Sequence, residues 1–160
     1  MEGSLKELAE YRLERANEML SASESNLEIG QYKTSLNRAY YAVFHAMRAA
    51  NARKGFDSSK HSGVIAFFTK EYLKTEILDR SLSLIIKESS LCREKSDYDD
   101  FYVASRIEAE EQLKNAKYFV QKIEEYISPE SVKLIVFICQ STIRLAKSKK
   151  CTLIMLNQSA

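Results

Sequence analysis

Arg38 and His45 are the two side chains of this sequence best equipped to do chemistry together. They stand seven apart within residues 35–49, a stretch of helical composition. At roughly 3.6 residues per turn, seven residues make about two turns, so both side chains fall on one line of a helix. A histidine with an ordinary pKa of about 6.5 can take the proton of a 2′-hydroxyl or return one to a leaving oxygen. An arginine can grip a phosphate with two parallel hydrogen bonds and stabilise charge as it develops. Such a pair could cleave RNA without a metal. The line carries one histidine per chain, so a second proton-transfer group would have to come from a second copy. Tyr41 and Arg48 flank the pair as candidate substrate contacts, a ring to stack on a base and a further guanidinium one turn beyond His45. The competing reading is an interface. Charged pairs at helical spacing are common on surfaces, and tyrosines anchor protein contacts.

The element that carries these residues has two faces. Leu36, Tyr40, Val43, Met47 and Ala50 recur at steps of four and three, the spacing of one buried stripe. At about 100° per residue the Arg38–His45 line lies nearly opposite. Tyr41, Ala42 and Ala49 flank that line and give the second face an aromatic, small and basic character. A monomer would leave one side uncovered, which predicts a two-fold homodimer with the Arg38–His45 face at or beside the seam.

Around this central helix, expected to end near Arg53, the spacing predicts four more. Ser4 and Glu7 form an S-x-x-E pattern that could cap a first helix, with Leu5, Ala9, Ala16, Leu20 and Leu27 on its apolar face and Gly30 at its end. Gly55 suits the end of the central helix, and Asp57 or Ser58 the cap of a third that carries Val64, Phe68 and Tyr72. A fourth is expected after Thr75, with Leu78, Leu82, Ile85, Ile86 and Ser89, fading at residues 93–96. The most regular stripe is Ala109, Leu113, Ala116, Val120, Ile123 and Ile127, stopped by Pro129. Five helices with short connections imply an all-α up-down bundle. No unit returns at the period of about 34 residues that a helical-hairpin repeat would need.

Composition narrows the class. Four glycines and one proline in 160 residues favour helices over a β-rich fold. Three cysteines in no C-x-x-C pair fit a reducing, cytoplasmic setting, and two histidines with no Cys/His cluster argue against structural zinc. Neither a cofactor nor a metal is expected. No apolar run approaches the ~18 residues of a membrane span, and the N-terminal residues lack a signal-peptide pattern. Residues 1–130 hold 19 Lys/Arg against 22 Asp/Glu, whereas the last thirty hold five basic residues and no acid. A slightly acidic body is unlike a general nucleic-acid coat protein. The apolar runs at 132–139 and 152–156 differ from everything before them, so the chain is expected to divide into a bundle over residues 1–129 and an extension over 130–160.

Two further stretches carry possible chemistry. Lys60-His61-Ser62-Gly63 falls near a helix start, where backbone N–H groups favour anions; capping plus a glycine for close packing is the alternative. Asp97, Asp99 and Asp100 form a carboxylate run, able in principle to bind Mg²⁺ but better explained by complementing the start of the last helix. Cys92 reads as buried filler.

Three stretches in order, Arg38-Ala39-Tyr40-Tyr41-Ala42-Val43-Phe44-His45, then Lys60-His61-Ser62-Gly63, then Lys95-Ser96-Asp97-Tyr98-Asp99-Asp100-Phe101, resemble the HEPN family (higher eukaryotes and prokaryotes nucleotide-binding domain), in its small stand-alone prokaryotic branch. The resemblance covers roughly residues 4–128. It implies a dimerising helical bundle. Many members are metal-independent endoribonucleases with an Arg-x(4–6)-His motif, and many are encoded beside a minimal nucleotidyltransferase as a toxin–antitoxin pair. Arg38 and His45, with six residues between them, match the outer limit of that motif. In catalytic members the motif sits on a late helix, whereas here it is on the second. The resemblance thus leaves two functions open: a non-catalytic dimer that binds a nucleotide or the nucleotidyltransferase partner, and an endoribonuclease toxin using Arg38 and His45.

Overall fold

The computed structural model of the protein describes residues 2–128, which form an all-α bundle of five helices. They are α1 (Glu2–Glu28), α2 (Tyr32–Arg53), α3 (His61–Phe68), α4 (Leu82–Tyr98) and α5 (Arg106–Ile127), with a π-helical turn, Thr69–Leu73, extending α3. The apolar runs at 132–139 and 152–156, and the expected boundary after residue 129, lie outside the described residues.

Glycine ends the first two helices by the same device. Gly30 and Gly55 take φ of 78° and 70°, a left-handed conformation that costs a residue without Cβ little. That lets Gln31 N–H reach the Asn26 carbonyl at 2.8 Å and Phe56 N–H the Asn51 carbonyl at 3.1 Å, closing Schellman turns.

The helix starts differ from expectation. Because α1 begins at Glu2, Ser4 lies inside it and caps nothing. Lys60 occupies the N-cap of α3 with no side-chain bond, and Asp57 and Ser58 belong to the preceding loop. The fourth helix starts at Leu82 rather than just after Thr75, since Glu76 with φ 58° breaks the path; it then runs on through Asp97 and Tyr98. The carboxylate run therefore closes α4 and does not open α5. Ser105 caps α5 instead, its Oγ accepting the Glu108 N–H at 3.2 Å.

α2 packs against α1, α3, α4 and α5 and is buried on nearly every side. The expected stripe is inside, and so are Ala42 and Ala49, both at 0% exposure. The physical reason is a seam of small residues seven apart. Ser23 Oγ donates to the Ser35 carbonyl at 2.9 Å, and Ser35 Oγ donates to the Ser23 carbonyl at 2.8 Å. Counting seven residues back along α1 and seven forward along the antiparallel α2 sets Ala16 opposite Ala42, then Ala9 opposite Ala49. All six are fully buried. Small side chains let two helix backbones approach closely, and a seven-residue spacing keeps them on one line. The Ala42–Ala49 side of the face expected to await a second copy is thus covered by the chain's own α1, while Arg38, Tyr41 and His45 stay partly exposed.

The α5 stripe behaves as its spacing predicts, with Ala109, Leu113, Ala116, Val120, Ile123 and Ile127 all buried. Phe119 joins them, and its ring lies 5.7 Å from that of Phe68. Under the core, Tyr72 from the π-helical turn donates its hydroxyl to the Ala50 carbonyl. Close packing also explains Gly63: a Cβ there would sit 2.7 Å from Ser58 Oγ. Gly63→Ala should turn Ser58 Oγ away from the Lys60 N–H it accepts and, set against the better helix propensity of alanine, lower stability by no more than about 1 kcal/mol. Urea unfolding measures this, and adding Ser58→Ala should recover part of the loss; a raised midpoint in the single variant would contradict the packing.

Candidate functional site

His45 emerges at the edge of the α1–α2 seam, half-buried. Burial holds its pKa below 6.5, and the positive charges of Arg48, Arg15 and Arg12 act in the same direction against a smaller opposing effect of Glu18. Near neutral pH the imidazole is therefore uncharged and able to accept a proton. Arg38 also faces the α1 side, where its Nη1 lies 3.9 Å from Met19 Sδ. No bond joins Arg38 to His45, and seven residues of helix separate their backbones by roughly 10 Å. The two share a line without forming a contact pair.

Arg48 has a structural task. Its Nη2 donates to Asp57 Oδ1 at 2.9 Å and approaches Oδ2 at 3.2 Å. Arg12, buried in α1, donates to the same Oδ2 at 2.6 Å and to the Arg48 carbonyl at 3.2 Å. This network ties the α2–α3 loop to both long helices. Burial alone would raise the Asp57 pKa, but hydrogen bonds from Arg48 and Arg12 hold it below its ordinary value.

Tyr41 is half-exposed and lies among rings. Its centroid is 5.4 Å from Tyr40, 6.5 Å from His45 and 6.2 Å from His61. Phe44, one turn on, is 6.1 Å from the His45 ring and 4.1 Å from that of His61, against which it stacks. The chain has two histidines, and both border the same pair of rings. The sequence had placed one histidine at the site and the other in a separate motif.

Behind this surface the three motif stretches meet. Tyr40, expected only as a core residue, is 3% exposed, yet its hydroxyl is 2.8 Å from His61 Nδ1. The guanidinium of Arg93 lies over the Tyr40 ring at 5.3 Å, a cation–π contact. Arg93 Nε also pairs with Asp97 Oδ2 at 3.2 Å, and Asn37 donates to Asp97 Oδ1 at 3.0 Å. Asp97 therefore orients α4 against α2. Burial raises the Tyr40 pKa, while the His61 pKa is lowered by burial and by the charges of Arg93 and Arg48. His61 and Arg93 went unrecognised in the sequence as parts of this site; the signal for His61 was that its stretch accompanies the Arg38–His45 one, and that for Arg93 was its closeness in sequence to Asp97, with which it pairs.

Among the described residues, no group of three or more His, Cys, Asp or Glu side chains is placed to hold a metal ion. No helix among them is long and apolar enough to cross a membrane. Cys92 is half-buried, with its thiol pKa raised by burial and by nearby Glu108.

A helical bundle organised on a buried second helix, with its two histidines, two tyrosines and arginines gathered along that helix, defines the class of protein. The chain belongs to the HEPN domain family, whose profile matches residues 9–126. It is 33% identical over 132 residues to a Methanocaldococcus jannaschii protein named "Putative toxin MJ0142", covering 82% of this chain and 90% of that one. A UPF0332 protein of Thermotoga maritima is 30% identical over 120 residues, covering 75% of this chain and 91% of the relative. Among solved structures, TT1696 from Thermus thermophilus has a TM-score of 0.62 at 23% identity, covering 73% of this chain and 96% of that one. That likeness concerns the fold.

Proposed function

We infer that the protein is a toxin-type HEPN module that works beside a minimal nucleotidyltransferase as a homodimer, and that its α2 surface binds a nucleotide or RNA segment without cutting it. One observation carries the binding: a half-exposed Tyr41 ring bordered by two neutral histidines, with guanidinium groups alongside. Aromatic rings stack on unpaired bases, and guanidinium groups take phosphate oxygens. Binding is favoured over cleavage because the Arg38–His45 motif lies on the second helix, whereas in the catalytic members that the chain resembles it sits on a late one. The toxin assignment draws on the name of the archaeal relative, and the nucleotidyltransferase on the family resemblance. Tyr98, Phe101, Val103 and Ile107, apolar side chains left exposed around the α4–α5 connection, support a surface covered by a second copy.

Fluorescence anisotropy with a labelled single-stranded RNA at low salt tests the reading. Tyr41→Ala should weaken binding by about 5–150-fold, the worth of one base stacked on an aromatic ring. Absence of binding by the wild type would end the proposal, and light scattering that gives one chain mass at micromolar concentration would end its dimer part.

A second reading has its own observation. A neutral His45 set among arginines suits a base that removes a 2′-hydroxyl proton while the surrounding charge receives the phosphate. Wild type would then cut RNA in EDTA and leave 2′,3′-cyclic phosphate ends. His45→Ala would slow cleavage by about 10²–10⁴-fold, and Arg38→Lys would also fail because an ammonium lacks the two-pronged grip. Wild type inactive on varied RNAs, once freed of any bound partner, removes this reading.

A further inference from the structure

In the site described so far both histidines border the Tyr41 ring, and His61 is also held by the Tyr40 hydroxyl. The geometry gives His61 more than a packing role. Its Nδ1 is engaged with the Tyr40 hydroxyl at 2.8 Å, and its ring lies against Phe44 at 4.1 Å, so the ring plane is constrained. Among the described residues Nε2 has no hydrogen-bond partner, and the side chain is only partly buried. A histidine fixed through one nitrogen and open at the other is arranged like a ligand-contacting imidazole, because its remaining nitrogen is aimed without further ordering cost. Phe44 and Tyr41 neighbour both histidines, so the two imidazoles border one pair of aromatic rings.

We propose that His61 is a second ligand-contacting histidine of the same site, so that one protomer presents two imidazoles to a single phosphate-bearing nucleotide stacked on Tyr41. The proposal rests on the nucleotide-binding reading above and specifies it: the ligand spans His45 and His61 across Tyr41. Tyr40 is then a positioning residue, acting on the ligand only through His61. The second imidazole comes from α3 of the same chain, and the site is complete without crossing a dimer seam. Arg93, which lies over Tyr40 and pairs with Asp97, fixes the far side of that arrangement.

Because the chain has two histidines, proton NMR of the full-length protein resolves the question directly. The probe is a mixed-sequence RNA hexanucleotide with every 2′-hydroxyl methylated, which binds without being cut. Both histidine Cε1–H signals should move with one common midpoint. His61→Ala should weaken binding roughly tenfold, the worth of a hydrogen bond to a charged phosphate, with thermal unfolding as the control for folding. Tyr40→Phe should alter the pH titration of His61 while leaving that of His45 in place. If His45 alone responds and His61→Ala binds like wild type, His61 is a packing residue and the inference falls while the binding reading stands. If neither signal moves at saturating probe, both fall.

Discussion

Ala49→Lys should abolish cooperative folding. Ala49 is fully buried on the α1–α2 seam, in register with Ala9. An ammonium there has no partner, and the four-carbon stem has no room between two closely packed helices. Stranding a buried charge costs several kcal/mol, and overpacking adds about 1–3 kcal/mol. A domain of this size holds only about 5–15 kcal/mol in total. Loss of the sigmoidal urea transition followed by circular dichroism is the expected result. Ala66→Lys, on the exposed side of α3, should change stability by no more than about 0.5 kcal/mol. The pair discriminates the fold seen here from a helix whose Ala42–Ala49 side faces outward, because in that case both variants would unfold like wild type.

The second large effect belongs to Asp57. Its carboxylate receives Arg12 at 2.6 Å and Arg48 at 2.9 Å, and the Arg12 side chain is only 7% exposed. Asp57→Ala would leave that guanidinium buried and unpaired. Breaking a fully buried pair costs about 3–5 kcal/mol; because the Asp57 side chain is 51% exposed, about 2–3 kcal/mol is expected here. The pH dependence has a definite sign. Hydrogen bonds from the two arginines depress the folded-state pKa of Asp57, outweighing burial, which acts to raise it. The stabilisation is therefore fully present above the unfolded-state value of about 3.9 and is lost as pH falls through the lower folded-state value. Wild type and Asp57→Ala should accordingly differ most in unfolding free energy at neutral pH and converge in strong acid. Equal stabilities at pH 7 would show that Arg12 is satisfied without Asp57.

The five-helix bundle was legible in the sequence because its main signals are local. A stripe such as Ala109 to Ile127 repeats within one helix, and Gly30 and Gly55 mark ends by a backbone conformation that glycine adopts readily. The surroundings of α2 were less legible, since alanine suits a helix whether buried or exposed and its spacing alone names no side. The small residues at 9, 16, 23 and at 35, 42, 49 do carry the seam, but only once the two sets are laid antiparallel. Helix starts went astray where a capping pattern at Ser4 or a carboxylate run at Asp97 had more than one local meaning.

For the site, residue types and helical spacing were enough to select Arg38, Tyr41, His45 and Arg48 and to put them near one line of α2. Tertiary structure decided what each of them meets. It gave Arg48 to Asp57, set His45 among the arginines of α1 and α2, and brought His61 to Tyr40 across 21 residues of chain. Arg93 reached the Tyr40 ring from a different helix altogether. Those meetings depend on helix register and crossing, which are properties of pairs of helices; the pattern along any one helix does not contain them.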